Sequence, residues 1–252
     1  MLEIWLYTLV SVVIVSLISL AGVFTLALRA ATLKKIIIYF VSFSVGALFG
    51  DAFIHLLPEA FAKSPASFVS AGILSGIILF FILEKFVHWR HCHAETTKNH
   101  IHPVGMLNII GDGVHNFIDG LVMAASYLVS VPIGLATTLA VIFHEIPQEL
   151  GDFGVLIHAG FSNKKALMWN FISALTAVAG AVVGLIIGTH SQQVTMFMIP
   201  LAAGGFTYIA GSDLIPELHR DVCEFPSLSR AFWQLVFFLL GIAIMFSLVL
   251  LG

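Results

Sequence analysis

Histidines and carboxylates occur at helical spacing inside apolar segments of this sequence. In the segment 105–129, Asp112, His115 and Asp119 are separated by three and four residues, so a helix places them on one face, with Asn116 beside them. An ionisable residue near the centre of a bilayer costs at least roughly 2.5–3.5 kcal/mol. Ionisable side chains at this depth therefore indicate a functional site.

A second polar stripe follows in the segment 133–160. Its members share one face of a helix, and they are His144, Glu145, Gln148, Glu149 and Asp152. At about 1.5 Å per residue, His115 lies about 15 Å along the first segment, and His144 lies about 17 Å from the opposite membrane surface. The two stripes are therefore predicted to meet at one depth.

Imidazole and carboxylate groups at one depth are typical ligands of a divalent metal such as zinc, iron or manganese. A dication offsets the charge of buried carboxylates, and neutral histidines add donors without adding charge. Pro147 lacks the amide that would bond the Phe143 carbonyl, so we expect a kink next to His144. A proton relay without metal is the alternative interpretation of these residues.

Two other apolar segments carry polar residues towards one end. Asp51, His55 and Glu59 follow one another at i, i+4 and i+8, and we interpret them as the entrance of an ion path. Asp213 and Glu217 are interpreted as the exit of that path. The alternative for all five residues is capping of helix ends at the membrane interface.

The segment 89–104 and the helix end before it are rich in histidine. These histidines are interpreted as a metal relay, and they are His88, His91, His93, His100 and His102. Their spacing does not match a structural zinc site, and a solvated polar loop is the alternative.

The composition requires the apolar segments to lie in a membrane. The chain has 252 residues, of which 59% are apolar and 10% are charged, and its mean hydropathy is +1.04. About a quarter of the residues in a soluble domain are charged, so a soluble globule and a disordered chain are both excluded. Two cysteines exclude a disulfide scaffold, and a net charge of −3 argues against a nucleic-acid partner.

Hydropathy predicts an all-α integral membrane protein with eight transmembrane helices in a single domain over 1–252. The predicted spans, numbered first to eighth, are 4–28, 36–60, 67–88, 105–129, 133–160, 166–189, 195–218 and 230–251. Ten basic residues flank one side of these spans and only Lys63 flanks the other. By the positive-inside rule, both termini are extracellular or periplasmic in the cell membrane, and loops 89–104, 161–165 and 219–229 are cytoplasmic.

Parts of the chain repeat in opposite orientation. Residues 54–59 (IHLLPE) are similar to residues 212–217 (SDLIPE), and they lie in the second and seventh spans, which cross in opposite directions. The polar stripes of the fourth and fifth spans form a second antiparallel pair. These similarities predict a 3+2+3 bundle of inverted repeats, which is typical of secondary transporters with binding sites near the midplane.

The motifs HNFIDG at 115–120 and HEIPQELGD at 144–152 resemble those of the ZIP (Zrt/Irt-like) metal transporters. The similar branch reads H-N-F-x-D-G and H-E-x-P-H-E-L-G-D. Residues 50–59 resemble the second span of that branch, and residues 170–180 resemble its sixth. The resemblance covers nearly the whole chain, and it implies a zinc-type divalent cation importer with eight helices, usually a homodimer.

The resemblance also implies a ligand set for the transported metal. The residues that it places in the main site are His115, Asp119, His144, residue 148 and, from the second span, His55. Asn116 and Glu145 match positions of a second, adjacent metal, which Asp119 bridges. The sequence departs from the branch at Gln148, where histidine is usual, and at Ala177, where some members have glutamate. Because Ala177 offers no ligand, we expect the second site to be weak or absent. Because an amide oxygen is a weaker zinc ligand than imidazole, we expect the metal preference to move from zinc towards iron or manganese.

We therefore expect an importer of divalent transition-metal cations that works by alternating access. Zinc is the first candidate, and iron, manganese and cadmium are alternatives; the metal is cargo, and no cofactor is expected. A membrane-embedded zinc-dependent hydrolase is the second hypothesis, and it would need an open coordination position and a general base next to a substrate cleft. A proton-coupled carrier of organic solutes would need a midplane Arg or Lys, which the sequence lacks at that depth.

Overall fold

The computed structural model describes residues 1–21, 30–89 and 103–249. Every regular element in these ranges is helical. The first span is Leu2–Ile18 with a 3₁₀ turn at Ser19–Ala21, the third is Ala66–Trp89, the fourth is Pro103–Val129, the fifth is Val131–His158 and the eighth is Leu228–Val249. The prediction of an all-α bundle is confirmed.

The remaining three spans are interrupted helices. The second span consists of Ala30–Gly50, a π-helical segment Asp51–Leu56 and a final helix Leu57–Lys63. The sixth consists of Asn163–Ala174 and Thr176–His190. The seventh consists of Gln192–Tyr208, a π-helical segment Ile209–Leu214 and Ile215–Glu224, so it continues into the predicted loop 219–229. Hydropathy marks the apolar part of a helix, whereas hydrogen bonding continues through its polar end.

Five helices are long and apolar enough to cross a membrane within the described ranges. They are Ile36–Lys63, Ala66–Lys85, Asn163–His190, Gln192–Cys223 and Leu228–Val249. The fourth and fifth helices have 27 and 28 residues, which also suffices for a crossing, but they carry the two polar stripes. The chain is a multi-pass membrane protein.

The packing of the spans follows the inverted repeat. The second span packs on the eighth and the third on the seventh; the second also packs on the fifth, and the fourth on the seventh. The inverted repeat relates the second span to the seventh, the third to the eighth and the fourth to the fifth. This relation converts the second–eighth pair into the third–seventh pair, and the second–fifth pair into the fourth–seventh pair. The fourth and fifth spans pack on each other at the centre of this arrangement.

Two glycines make the repeat visible at atomic scale. A Cβ atom on Gly46 of the second span would lie 2.0 Å from the Phe238 carbonyl oxygen, and one on Gly204 of the seventh would lie 2.1 Å from that of Ile73. Gly46 and Gly204 are related by the same offset as residues 54–59 and 212–217. Both contacts bring helix backbones together at a distance that only glycine permits.

The two π-helical segments are related by the same sequence offset as the two glycines. Each is followed within two residues by a proline, Pro58 or Pro216, which has no amide hydrogen to donate to the turn before it. At the end of each segment the bond spans five residues, from the Leu57 amide to the Ala52 carbonyl and from Ile215 to Ala210. Such wide turns are concentrated at functional sites.

Candidate metal centre

Four side chains of the fourth and fifth spans converge inside the bundle. They are His115, Asp119, His144 and Glu145, and one ligand atom from each lies within 4.8 Å of all the others. Helical spacing brings the first two to one side of the fourth span, and the tight packing of the fourth span on the fifth brings the second pair to meet them. These residues could hold one metal ion.

The separations between the ligand atoms match a small dication. His115 Nε2 and His144 Nε2 are 3.3 Å apart. Asp119 Oδ2 lies 3.5 Å from His115 Nε2 and 3.3 Å from His144 Nε2, and Glu145 Oε1 lies 3.5 and 3.4 Å from the same two atoms. Four ligands at 2.0–2.1 Å from a tetrahedral zinc are about 3.3–3.4 Å apart. The side chains need little movement to close on such an ion.

Burial makes this arrangement costly without a cation. Asp119, His144 and Glu145 are at most 1% exposed. Both carboxylate oxygens of Asp119, and Oε1 of Glu145, have no hydrogen-bond partner among the described residues. Burying an uncompensated carboxylate costs roughly several kcal/mol of folding free energy. A dication between the two carboxylates would offset that cost.

His144 is held in the tautomer that suits metal binding. Its Nδ1 lies 3.0 Å from the Ala140 carbonyl oxygen, which can only accept a hydrogen bond. Nδ1 therefore carries the proton, and the lone pair of Nε2 faces the centre. His115 has no such anchor among the hydrogen bonds of the described residues, and 15% of its side chain is exposed.

The carbonyl that Pro147 leaves unpaired has a hydrogen-bond partner in the second span. The Phe143 carbonyl, which Pro147 leaves without an amide donor, accepts a hydrogen bond from Ser44 Oγ at 2.5 Å. The Ser44 hydroxyl also lies 2.8 Å from the Phe40 carbonyl of its own helix. This bond docks the second span on the fifth, one residue before His144.

Two expected ligands contact Asp112 instead of the four-residue centre. Gln148 Nε2 lies 3.4 Å from Asp112 Oδ1, and Asn116 Nδ2 lies 2.8 Å from the same oxygen. Neither amide is among the four groups that converge. Both residues belong to the predicted stripes, but spacing alone does not show which neighbouring group an amide side chain contacts.

The expected entrance residues form a separate pair. His55 Nδ1 lies 3.4 Å from Asp51 Oδ1, and both side chains are buried. Neither nitrogen of His55 and neither oxygen of Asp51 has a hydrogen bond to a described residue. Glu59, one turn beyond, forms an ion pair with Lys63. His55 thus stands outside the four-residue centre.

A cavity of about 490 Å³ reaches the centre from the opposite side. His115 and Gln148 line its inner part, and Asp152, Asp213 and Glu217 line it towards the ends of the fifth and seventh spans. Asp213 is exposed, and Glu217 is paired with Arg220. By the predicted topology, these ends face the cytoplasm.

The histidine-rich segment lies mostly outside the described residues. His91, His93, His100 and His102 fall in 90–102, and His88 lies on the third helix at a position whose side chain is not described. The proposed relay therefore stays a prediction.

Three residues that contact the stripes were not predicted as site residues from the sequence. Asn108 donates to Asp152 Oδ1 at 3.0 Å, Asn170 donates to the Glu149 carboxylate, and Ser173 donates to Asp112 Oδ2 at 2.5 Å. The signal that could have found Asn108 and Asn170 is a polar amide inside an apolar span. Ser173 gives no such signal, because serine is common where helices pack.

Comparison with known proteins gives consistent matches. The family described as ZIP Zinc transporter matches residues 2–105 and 90–249. The chain is 30% identical to Metal cation symporter ZIP14 of Xenopus tropicalis, with 91% of this chain and 65% of that protein covered. It is 36% identical to Zinc transporter ZIP13 of Pongo abelii, covering 81% and 64%, and 32% identical to Zinc transporter YKE4 of Saccharomyces cerevisiae, covering 81% and 68%. The chain spans somewhat less than two thirds of the ZIP14 and ZIP13 proteins.

Proposed function

The chain belongs to the ZIP zinc transporter family, and from this premise we propose that it carries divalent transition-metal cations across a membrane. The proposed carrier site is the centre of His115, Asp119, His144 and Glu145. The observation that carries the proposal is the convergence of two imidazoles and two carboxylates at metal-ligand separations, at the inner end of an open cavity.

Zinc is the proposed cargo. Two imidazole nitrogens and two carboxylate oxygens suit zinc better than the larger, oxygen-preferring dications. Iron, manganese and cadmium are the competitors to be tested. The relatives are named both for zinc and, more generally, for metal cations, which supports a divalent-cation cargo.

The cavity supports transport by alternating access. It connects the centre with Asp213 and Glu217, and neither Asp51 nor His55 is among its lining residues. In the proposed cycle this state releases the ion to the cytoplasm. A second state would open the side of Asp51 and His55 and admit an ion from outside.

The zinc-dependent hydrolase is the weaker hypothesis. Its centre would need a coordination position left for water and a general base aimed at a substrate. Membership of a transporter family supports transport, and no arrangement among the described residues favours hydrolysis over it.

Uptake into proteoliposomes tests the proposal. Reconstituted wild-type chain should show saturable uptake of zinc, with iron, manganese and cadmium as competitors in the same assay. His144→Ala should abolish saturable uptake. The matched control is His190→Ala, which removes an exposed histidine at the end of the sixth span. Equal uptake by wild type and His144→Ala, or none by the wild type above empty liposomes, would overturn the proposal.

A further inference from the structure

Three buried or half-buried carboxylates lie on the cavity side of the metal centre. Asp112 is one helical turn before His115 on the fourth span, and Glu149 and Asp152 are one and two turns after Glu145 on the fifth. Asp112 and Asp152 line the cavity, whereas Glu149 is 1% exposed. We call these three residues the acidic triad.

Neutral groups donate every hydrogen bond that the triad receives among the described residues. Asp112 accepts from the amides of Asn116 and Gln148 and from Ser173 Oγ at 2.5 Å. The other two members accept from asparagines, Asp152 from Asn108 at 3.0 Å and Glu149 from Asn170. Amides and hydroxyls orient a carboxylate, but they do not neutralise its charge.

Two oxygens of the triad have no hydrogen-bond donor among the described residues. Glu149 Oε1 and Asp152 Oδ2 are inaccessible to solvent and have no hydrogen-bond partner in the described part of the chain. The charged groups that act on Glu149 are the carboxylates of Asp112, Glu145 and Asp152. A buried carboxylate that has an unpaired oxygen, and whose charged neighbours among the described residues are carboxylates, indicates a missing positive charge.

The part of the chain that the structure describes places no such charge in the lining of the cavity. No Lys or Arg is among the described residues that line the cavity. The polar lining also includes Glu84, Asp213 and Glu217, so the field inside the cavity attracts cations. A bound cation would compensate the triad and satisfy its two free oxygens together.

We propose that Asp112, Glu149 and Asp152 form a second cation site, made of oxygen ligands only, between the metal centre and the cytoplasmic cavity. Glu149 Oε1 and Asp152 Oδ2 are its ligands, and Asp112, whose oxygens already accept three hydrogen bonds, adds charge. None of the three belongs to the ligands that the family resemblance implies for the main site or for the adjacent second metal. Oxygen-only sites favour hard dications such as manganese, magnesium and calcium over zinc.

The site has a further role that rests on the proposed transport function. An ion that leaves the four-residue centre enters the cavity past the triad, and a weaker oxygen site there lowers the cost of leaving the imidazoles. Binding at the triad itself does not require transport, so the two claims are tested separately.

Manganese binding to the purified full chain tests the site. The double variant His115→Ala, His144→Ala removes both imidazoles of the metal centre, and it should still bind one Mn²⁺ per chain. Adding Asp152→Asn or Glu149→Gln in this background should weaken Mn²⁺ binding at least about tenfold, because a charged ligand is lost. Glu84→Gln is the matched control in the same cavity, and it should leave the Mn²⁺ stoichiometry unchanged.

Wild-type protein gives a second readout that needs no substitution. After one equivalent of zinc has filled the imidazole centre, one Mn²⁺ should still bind, and its electron spin-echo spectrum should show no coupling to histidine nitrogen. Excess calcium should displace this Mn²⁺ and leave the zinc in place. The proposal fails if zinc-loaded protein binds no Mn²⁺, if the bound Mn²⁺ couples to nitrogen, or if Asp152→Asn binds it as the parent does. Unchanged zinc uptake by a triad variant that no longer binds Mn²⁺ would count against the release role alone.

Discussion

At the scale of single residues, the two histidines of the centre are held in different ways. His144 is buried and anchored through Nδ1 to Ala140, so its Nε2 is aimed before an ion arrives. His115 is partly exposed to the cavity and stands edge-on to Phe80, with ring centroids 5.6 Å apart. His144 is thus the preorganised ligand, and His115 is the one that an ion leaving through the cavity would pass.

Gln148 is the residue at which selectivity can be tested. It lies one turn after His144 and lines the cavity beside His115, but its amide reaches Asp112. An imidazole at this position would offer zinc a nitrogen ligand, whereas manganese accepts oxygen donors well. Gln148→His should therefore raise zinc uptake relative to manganese uptake. Gln148→Glu should tighten binding of either ion by adding a negative charge.

The measurement is the ratio of zinc to manganese uptake in proteoliposomes. Gln193→His, at an exposed position near the start of the seventh span, adds the same imidazole away from the centre and should leave the ratio as in the wild type. An unchanged ratio in both Gln148 variants would mean that residue 148 does not reach the ion.

Ser44 gives a stability prediction at the same scale. Its hydroxyl supplies the donor that the Phe143 carbonyl lacks, so Ser44→Ala leaves a partly buried carbonyl unpaired, at a cost of up to about 1–3 kcal/mol. Thermal unfolding in detergent should show a lower midpoint for Ser44→Ala. Ser42→Ala is the control, because among the described residues the Ser42 hydroxyl bonds only the Ile38 carbonyl of its own helix. Equal midpoints for the two variants would contradict the docking role of Ser44.

Much of the centre could be predicted from residue spacing. Counting residues along two antiparallel helices placed His115 and His144 at one depth, and their Nε2 atoms lie 3.3 Å apart. Spacing could not predict the partner of Gln148, because Asp112 competes with the centre for its amide. It could not predict Ser44 either, since that contact depends on how another helix docks.

At the scale of elements, glycines control how closely the spans pack. The Cβ of Gly46→Ala would lie 2.0 Å from the Phe238 carbonyl oxygen, so the second and eighth spans must separate. Gly204→Ala should separate the third and seventh spans in the same way, because the contact there is equivalent. We expect both variants to lower the unfolding midpoint by similar amounts.

Gly154→Ala is the control for these two substitutions. Gly154 lies within the fifth helix, and nothing lies within 4 Å of an added Cβ, so this change should be neutral or slightly stabilising. A midpoint for Gly46→Ala or Gly204→Ala as high as that of Gly154→Ala would show that the close helix contact does not stabilise the bundle.

The sequence predicted the elements less completely than the stripes. The repeat of residues 54–59 in residues 212–217 could be recognised in the amino-acid sequence. The proline in each copy explains the wide turn before it. The exact π-helical register was not predicted, because a proline is compatible with a kink, a break or a wide turn. The observed helix ends differ from the predicted ones because amphipathic turns continue beyond the apolar stretch.

At the scale of the whole molecule, the side on which the cavity opens and the distribution of basic residues should indicate the same orientation in the membrane. The cavity ends near Asp213 and Glu217, on the side where the basic residues predict the cytoplasm. Cys223 lies on that side and is exposed. In the variant Cys92→Ser, which keeps only Cys223, an impermeant thiol reagent should fail to label intact cells and should label them after permeabilisation.

Lys63→Cys in a chain without the two native cysteines is the control for this topology. Lys63 lies at the end of the second span, on the side predicted to be outside, so it should label in intact cells. Labelling of Cys223 in intact cells, with Lys63→Cys protected, would invert the topology and make the cavity an outward-facing one.

The proposed transport requires that His115, Asp119, His144 and Glu145 together bind one divalent ion. X-ray absorption at the zinc edge, on the purified chain loaded with one equivalent of zinc, measures this directly. We expect four nitrogen or oxygen ligands at about 2.0–2.1 Å, with the outer-shell scattering of two imidazoles. His144→Ala should lose one imidazole from that pattern. A wild-type spectrum without imidazole, or a spectrum that His144→Ala leaves unchanged, would contradict the assignment of the metal to this centre.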